Sequence, residues 1–176
     1  MKRDIPFWQF AGFVLTTLAG TLLHFLYEWT NESVLTAPFS GVNESTWEHM
    51  KIFFFPYVLF ALAEFFALRK EYPNVLFAKA LGLLAGLALI PAVFYTARGI
   101  AGTTQDWFNI SIFFLAAAVS HLVSSRMMRK GRFSSPFWQL MAAAFFLLLA
   151  AAFVYFTYAP PYIPLFADPI TGGFGR

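Results

Sequence analysis

The sequence contains no cysteine and few charged residues. Without cysteine the chain can form no disulfide bond, thiolate nucleophile or cysteine-ligated metal site. Charged residues make up 12% of the chain and hydrophobic residues 59%, whereas a soluble domain has about 25% charged residues. This composition predicts an integral membrane protein.

Five apolar segments are long enough to cross a bilayer, since a spanning helix needs about 20 residues. They lie at about 7–27, 52–68, 77–97, 107–123 and 137–158. The first segment continues past Gly20, a candidate signal-peptide cleavage site, to Tyr27, so we predict an uncleaved span. We therefore predict an all-α fold, a five-helix transmembrane domain over 1–159 and a Pro/Gly-rich tail over 160–176.

The basic residues indicate how the spans are oriented. With the N-terminus in the cytoplasm, nine lie on the inner side and three on the outer side, a strong positive-inside bias. The inner residues are Lys2, Arg3, Arg69, Lys70, Lys79, Arg126, Arg129, Lys130 and Arg132, and the outer ones are Lys51, Arg98 and Arg176. We predict a multi-pass cell-membrane protein with its C-terminus outside, and with Trp47 among the aromatic residues at the outer interface. Because these charges lie at helix ends, we expect membrane lipid as a partner and no nucleic acid.

Five ionisable side chains flank the first outer loop. His24 and Glu28 are four residues apart, as are Glu44 and Glu48, so each pair shares a helix face, and His49 follows directly. Histidine and carboxylate groups at this spacing suit a divalent metal. In hydrolytic enzymes a zinc ion of this kind has three protein ligands and a water. We predict that His24, Glu28 and His49 bind zinc or another divalent metal. Glu44 and Glu48 are the predicted catalytic residues, one of them as a general base.

Each of these assignments has a structural alternative. Ser45 and Glu48 form a capping-box pattern, so Glu48 can serve only to satisfy the first amides of the second span. Glu28 can simply be solvated at the membrane boundary. His24 is flanked by apolar residues on both sides, and ionisable groups in such positions are usually functional.

Three further residues are predicted to bind substrate at the outer side. Arg98 follows Tyr95 by three residues and suits an anionic group, although it also fits a plain interfacial anchor. The tail is rich in proline and yet apolar, which argues against a solvated disordered segment. We expect it to lie across the outer face and bring Asp168 over the polar cluster.

A second polar pair lies deeper in the spans. Glu64 and His121 fall at similar depths in the inner half of the second and fourth spans, and we predict that they are neighbours. Such a pair would form an inner gate or proton relay. In the structural alternative, the Glu64 side chain extends to the cytoplasmic membrane interface. Gly82 and Gly86 of the third span have the spacing that allows close approach of a neighbouring helix.

Three segments resemble an uncharacterised family of small prokaryotic integral-membrane proteins. They are residues 23–29 (LHFLYEW), 42–49 (VNESTWEH) and 164–172 (PLFADPITG). The resemblance implies the membrane fold and brings no activity with it. Asn43, Glu44, Trp47 and His49 are also similar to a stretch of the adiponectin-receptor and alkaline-ceramidase membrane hydrolases. The spacing differs by two residues and those hydrolases have seven spans. From this similarity we therefore expect a zinc site and neither the same fold nor the same reaction.

The sequence leaves three functions open. The first is a metal-dependent membrane-embedded hydrolase with an outward-facing His/Glu site that acts on a lipid or amphiphile. The second is a small transporter or channel that uses the outer cluster and the pair of Glu64 and His121. The third is a structural or accessory subunit in which these residues only cap and anchor helices.

Overall fold

The computed structural model describes residues 4–176, so Lys2 and Arg3 lie outside the described residues. The described chain forms five α-helices, each long and apolar enough to cross a membrane, which confirms the predicted all-α class and the number of candidate spans. They are α1 (Ile5–Trp29), α2 (Thr46–Leu68), α3 (Val75–Ala101), α4 (Asp106–Lys130) and α5 (Pro136–Tyr158). A short 3₁₀ helix, Pro164–Phe166, follows in the tail.

The helices extend beyond the apolar segments because local capping sets their ends. α2 begins at Thr46 rather than at 52, since the Ser45 hydroxyl accepts the Glu48 amide at 3.4 Å. α4 continues to Lys130 and ends where Gly131 takes the left-handed conformation, with φ of 62°. A glycine adopts that conformation without the steric cost of a Cβ atom.

The helices run up and down, so the bundle has two ends. We call one the tail end, where α1, α3 and α5 finish and residues 159–176 lie, and the other the basic end, where Arg69 and Lys130 lie. α3 packs against α4, α2 and α5, while α1 packs against α2 and α4. Helix α5 is therefore at the edge of the bundle.

Glycines set the close contacts between helices, as predicted for Gly82 and Gly86. A Cβ atom at Gly82 would lie 2.7 Å from the Tyr57 hydroxyl, and one at Gly86 would lie 3.0 Å from the Ala116 carbonyl oxygen. In α1, a Cβ atom at Gly20 would lie 3.0 Å from the backbone oxygen of Ile52. These contacts let α3 approach α4 and let α1 approach α2, which positions the polar side chains on their facing surfaces.

A cluster of polar side chains is sealed between α1, α2, α3 and α4 in the basic half of the bundle. We call it the buried network, and its members are Gln9, Glu64, Lys79, His121 and Ser124. The Lys79 ammonium group pairs with Glu64, donates to Gln9 Oε1 at 3.0 Å, and lies 3.4 Å from His121 Nδ1. Gln9 Nε2 donates to Glu64, and the Ser124 hydroxyl donates to Gln9 Oε1 at 2.7 Å.

The network changes two expectations from the sequence. Lys79, counted above as a charge flanking the membrane, has no exposed surface. Glu64 and His121 do approach the same centre, but each of them contacts Lys79, which lies between them. Glu64 and His121 are therefore linked through Lys79, which forms an ion pair with Glu64.

We expect Lys79→Met alone to destabilise the protein by about 3–5 kcal/mol, because it leaves the Glu64 carboxylate buried without its counter-charge. Replacing both partners, in Glu64→Met with Lys79→Met, should cost clearly less than that single change. Reversible unfolding of the purified protein in mixed micelles measures both values. A single variant as stable as the wild type would contradict the buried ion pair.

Candidate metal centre

Two histidines and one glutamate meet at the tail end. His24 lies near the end of α1, His49 lies in the first turn of α2, and Glu44 lies in the loop between them. His24 Nε2 is 3.7 Å from Glu44 Oε1, and His49 Nε2 is 3.5 Å from Glu44 Oε2. The two imidazole rings meet edge to face with their centroids 5.3 Å apart. Three side chains from separate segments thus point at one position.

The backbone fixes the orientation of the His49 ring. His49 Nδ1 lies 2.9 Å from the carbonyl oxygen of Ser45, which can only accept a hydrogen bond. In the neutral ring the proton is therefore on Nδ1, and the Nε2 lone pair faces the Glu44 carboxylate. A metal-ligating histidine commonly has this arrangement, with its other ring nitrogen bonded to a carbonyl.

The three side chains place hydrogen-bond acceptor atoms next to one another. A neutral His49 Nε2 and the ionised Glu44 carboxylate both offer lone pairs to the same space, and His24 Nε2 adjoins it. Such groups stabilise one another only when a cation or a proton lies between them. The three side chains consequently suit a positively charged ligand.

The size and exposure of the group fit a divalent ion. One ligand atom from each of the three residues lies within 4.8 Å of the others. Around a tetrahedral zinc ion, donor atoms are about 3.4 Å apart, so a shift of roughly 1 Å closes the group. The three side chains are 26–40% exposed, which leaves space for a water or substrate as a further ligand. Two histidines and one glutamate are a donor set found in catalytic zinc sites.

Glu48 lies beside this group but has a different set of partners. Its side chain is buried, accepts the Val42 amide at 3.0 Å and forms an ion pair with Lys51 at 2.5 Å. The Lys51 ammonium group, also buried, donates to the Ala37 carbonyl oxygen at 2.9 Å. The pair thus holds the loop at two points ahead of Glu44. These contacts give Glu48 a structural role, but its carboxylate binds the Val42 amide and Lys51 rather than the first amides of α2. They also move Lys51 from the membrane flank into the core.

Glu28 and Arg98 are not brought into the group. Glu28 lies one turn beyond His24 on α1, but its side chain is exposed and the metal-binding group found among residues 4–176 does not include it. Arg98 is exposed as well, with its guanidinium carbon 6.0 Å from the centre of the Phe94 ring. The five-residue pocket expected from the sequence is therefore reduced to three residues.

Tyr95 and Asp168 contact the tail. The Tyr95 hydroxyl donates to the carbonyl oxygen of Pro164 at 2.9 Å. The buried Asp168 carboxylate accepts the Ile170 amide at 2.9 Å and the Thr171 hydroxyl at 2.7 Å, which closes a turn. Both residues shape and hold the tail, and neither points a free polar group at the histidines.

The tail itself lies over the loop that carries Glu44. Asn43 donates to the Gly175 carbonyl oxygen at 2.9 Å, and Arg176 Nε donates to the Tyr27 hydroxyl at 3.0 Å. Phe166 packs on Trp47, with ring centroids 4.6 Å apart, so the Trp47 side chain is buried in the protein rather than exposed toward lipid. The tail therefore also holds the loop, through Asn43.

Comparison with known proteins identifies a family. The sequence profile of a family of unknown function, DUF6512, matches residues 2–176. The chain belongs to this family. The match covers the whole region that carries the five helices, the candidate metal-binding group and the tail, which confirms the expectation of an uncharacterised family. No curated protein and no solved structure matches the chain, so the similarity to the adiponectin-receptor hydrolases stays a prediction.

We expect Glu44→Gln and His49→Ala to weaken zinc binding by more than the roughly 10–100-fold typical of losing an outer-shell partner, because each removes a ligand. Competition titration with a chromogenic chelator, together with elemental analysis of the purified protein, measures the change. Glu28→Gln is the matched control, since it makes the same chemical change on an exposed carboxylate nearby. Equal zinc affinity in Glu44→Gln and Glu28→Gln would refute the assignment.

Proposed function

We propose that this membrane protein is a metal-dependent hydrolase that acts on a lipid or another amphiphile. His24, Glu44 and His49 would hold Zn²⁺ or a similar divalent ion. The observation that supports this most is the convergence of both Nε2 atoms on the Glu44 carboxylate, at 3.7 and 3.5 Å. The partial exposure of all three side chains favours a catalytic site over a closed structural one.

Each residue of the candidate site has a distinct role in the proposed reaction. A divalent ion at this position supplies activation of water and polarisation of a substrate carbonyl. His24 and His49 hold the ion, and the Ser45 carbonyl keeps the His49 ring in its orientation. Glu44 would help to hold the ion, and its carboxylate would accept a proton from water. Glu48 is engaged with Lys51 and acts as a positioning residue for the loop.

We place the metal centre on the outer side of the cell membrane. Lys79 and Lys51 are buried and no longer count as charges flanking the spans. Removing them leaves eight basic residues at the N-terminus and the basic end, and two at the tail end. The bias remains strong and favours a cytoplasmic basic end, with the tail and the metal centre outside.

The buried network favours the hydrolase over a transporter. The Lys79 ammonium group has three donors, and Glu64, Gln9 and His121 provide three acceptors around it. A network whose members satisfy one another suits a role in fixing the register of α1 to α4, a use attested for some buried polar groups. The transporter interpretation needs groups that exchange protons or ions with both sides.

The test is hydrolysis by the purified, zinc-loaded protein in nanodiscs. Mass spectrometry of a panel of ester-linked and amide-linked lipids should detect a released fatty acid. Activity should fall on chelation and return with zinc. Glu44→Gln removes a candidate ligand as well as the proposed base, so it should lower the rate by at least roughly 10²–10⁴-fold, while Glu28→Gln stays near wild type. A product that forms equally well in Glu44→Gln, or no product from a zinc-loaded wild type, would overturn the proposal.

A further inference from the structure

A groove on the membrane-facing surface lies between α2, α5 and the first loop. It has a volume of about 600 Å³, within the range of small-molecule sites. Its lining includes Phe39 of the loop, Phe55 of α2, and Ala151, Tyr155 and Tyr158 of α5. The lining is almost wholly apolar, so the groove suits a hydrocarbon and not a polar ligand.

The length and direction of the groove match one lipid chain. On α5 the lining extends from Ala150 to Ala159, which is about 13 Å at 1.5 Å per residue. That is close to half of the roughly 30 Å hydrocarbon core, the depth of one leaflet. The groove begins where α5 ends, at the tail end, and continues toward the middle of the bundle. A chain in it would therefore have its polar end at the level of the metal centre.

The loop connects the groove to the metal centre. Phe39 forms part of the groove wall, and Gly41 lies two residues further along. A Cβ atom at Gly41 would lie 3.7 Å from His24 Nδ1, so the Gly41 backbone adjoins a metal ligand. Two residues span at most about 7 Å. The loop backbone that lines the groove at Phe39 therefore reaches the neighbourhood of His24 within two residues.

We propose that this groove binds one fatty-acyl chain of a membrane lipid and presents its carbonyl linkage to the metal centre. The inference rests on the proposed hydrolase and narrows its substrate class to acyl esters or amides of membrane lipids. In the reaction, water adds its hydroxyl group to the acyl carbon. The bond from that carbon to oxygen or nitrogen breaks, and the proton goes to the departing alcohol or amine. Ala150 and Ala151 line the inner part of the groove, which only a long chain fills.

Photolabelling tests the groove directly. A photoactivatable fatty acid is added to zinc-loaded protein in nanodiscs, and labelled peptides are mapped by mass spectrometry. We expect labels concentrated on the segments that carry Phe39, Phe55 and Tyr155. Ala151→Trp fills the groove from an exposed position and should lower this labelling at least about tenfold. Leu147→Trp is the matched control, since Leu147 is exposed on α5 outside the groove lining.

The two proposals fail separately in this experiment. Labels spread evenly over the exposed faces of α1 and α5, or unchanged by Ala151→Trp, would overturn the groove as a chain site. Zinc content, measured in the same samples, should be equal in wild type, Ala151→Trp and Leu147→Trp. Groove labelling without any lipid hydrolysis would keep the chain site and overturn the hydrolase. Hydrolysis that is as fast in Ala151→Trp as in Leu147→Trp would overturn the groove alone.

Discussion

The ion pair between Glu48 and Lys51 holds together the part of the molecule on which the candidate site depends. Its two charges are buried at the start of α2, where each needs a partner inside the protein. Glu48 takes the Val42 amide, and Lys51 donates to the Ala37 carbonyl oxygen and the Thr157 hydroxyl. One pair therefore fastens the loop to α2 and to α5. The position of Glu44, two residues after Val42, follows from that attachment.

The same requirement is met a second time in the basic half of the bundle, whereas the side chains of the candidate metal centre are partly exposed. Lys79 and Glu64 are surrounded by Gln9, His121 and Ser124, and the donors and acceptors match. At the tail end, by contrast, the lone pairs of His49 Nε2 and Glu44 face each other. In two places, therefore, a buried charge has a partner of opposite charge. In the third, the partly exposed side chains of His24, Glu44 and His49 bring lone pairs together. That contrast is the physical basis for assigning a cation to His24, Glu44 and His49.

The sequence predicted the five helices because the length of an apolar segment is a property of the chain alone. The apolar segment begins at 52 and omits the first turns of α2, whose start only the capping-box pattern at Ser45 indicates. Lys51 and Lys79 were read as flanking charges, because a rule based on position cannot detect a carboxylate on another turn or helix. The i, i+4 spacing likewise placed Glu28 with His24. In the structure it is the carboxylate of Glu44, held by the loop, that lies near His24. The pattern of Ser45 and Glu48 was the one signal that pointed to the structural role of Glu48.

X-ray absorption at the zinc edge of the zinc-loaded protein tests the metal centre most directly. The structure predicts two imidazole nitrogens at about 2.0–2.1 Å and one carboxylate oxygen at about 2.0–2.2 Å, with a solvent oxygen completing four-coordination. The imidazole contribution should fall by half in His24→Ala and in His49→Ala. A shell made only of oxygen atoms, or a spectrum that neither variant changes, would contradict a zinc centre formed by His24, Glu44 and His49.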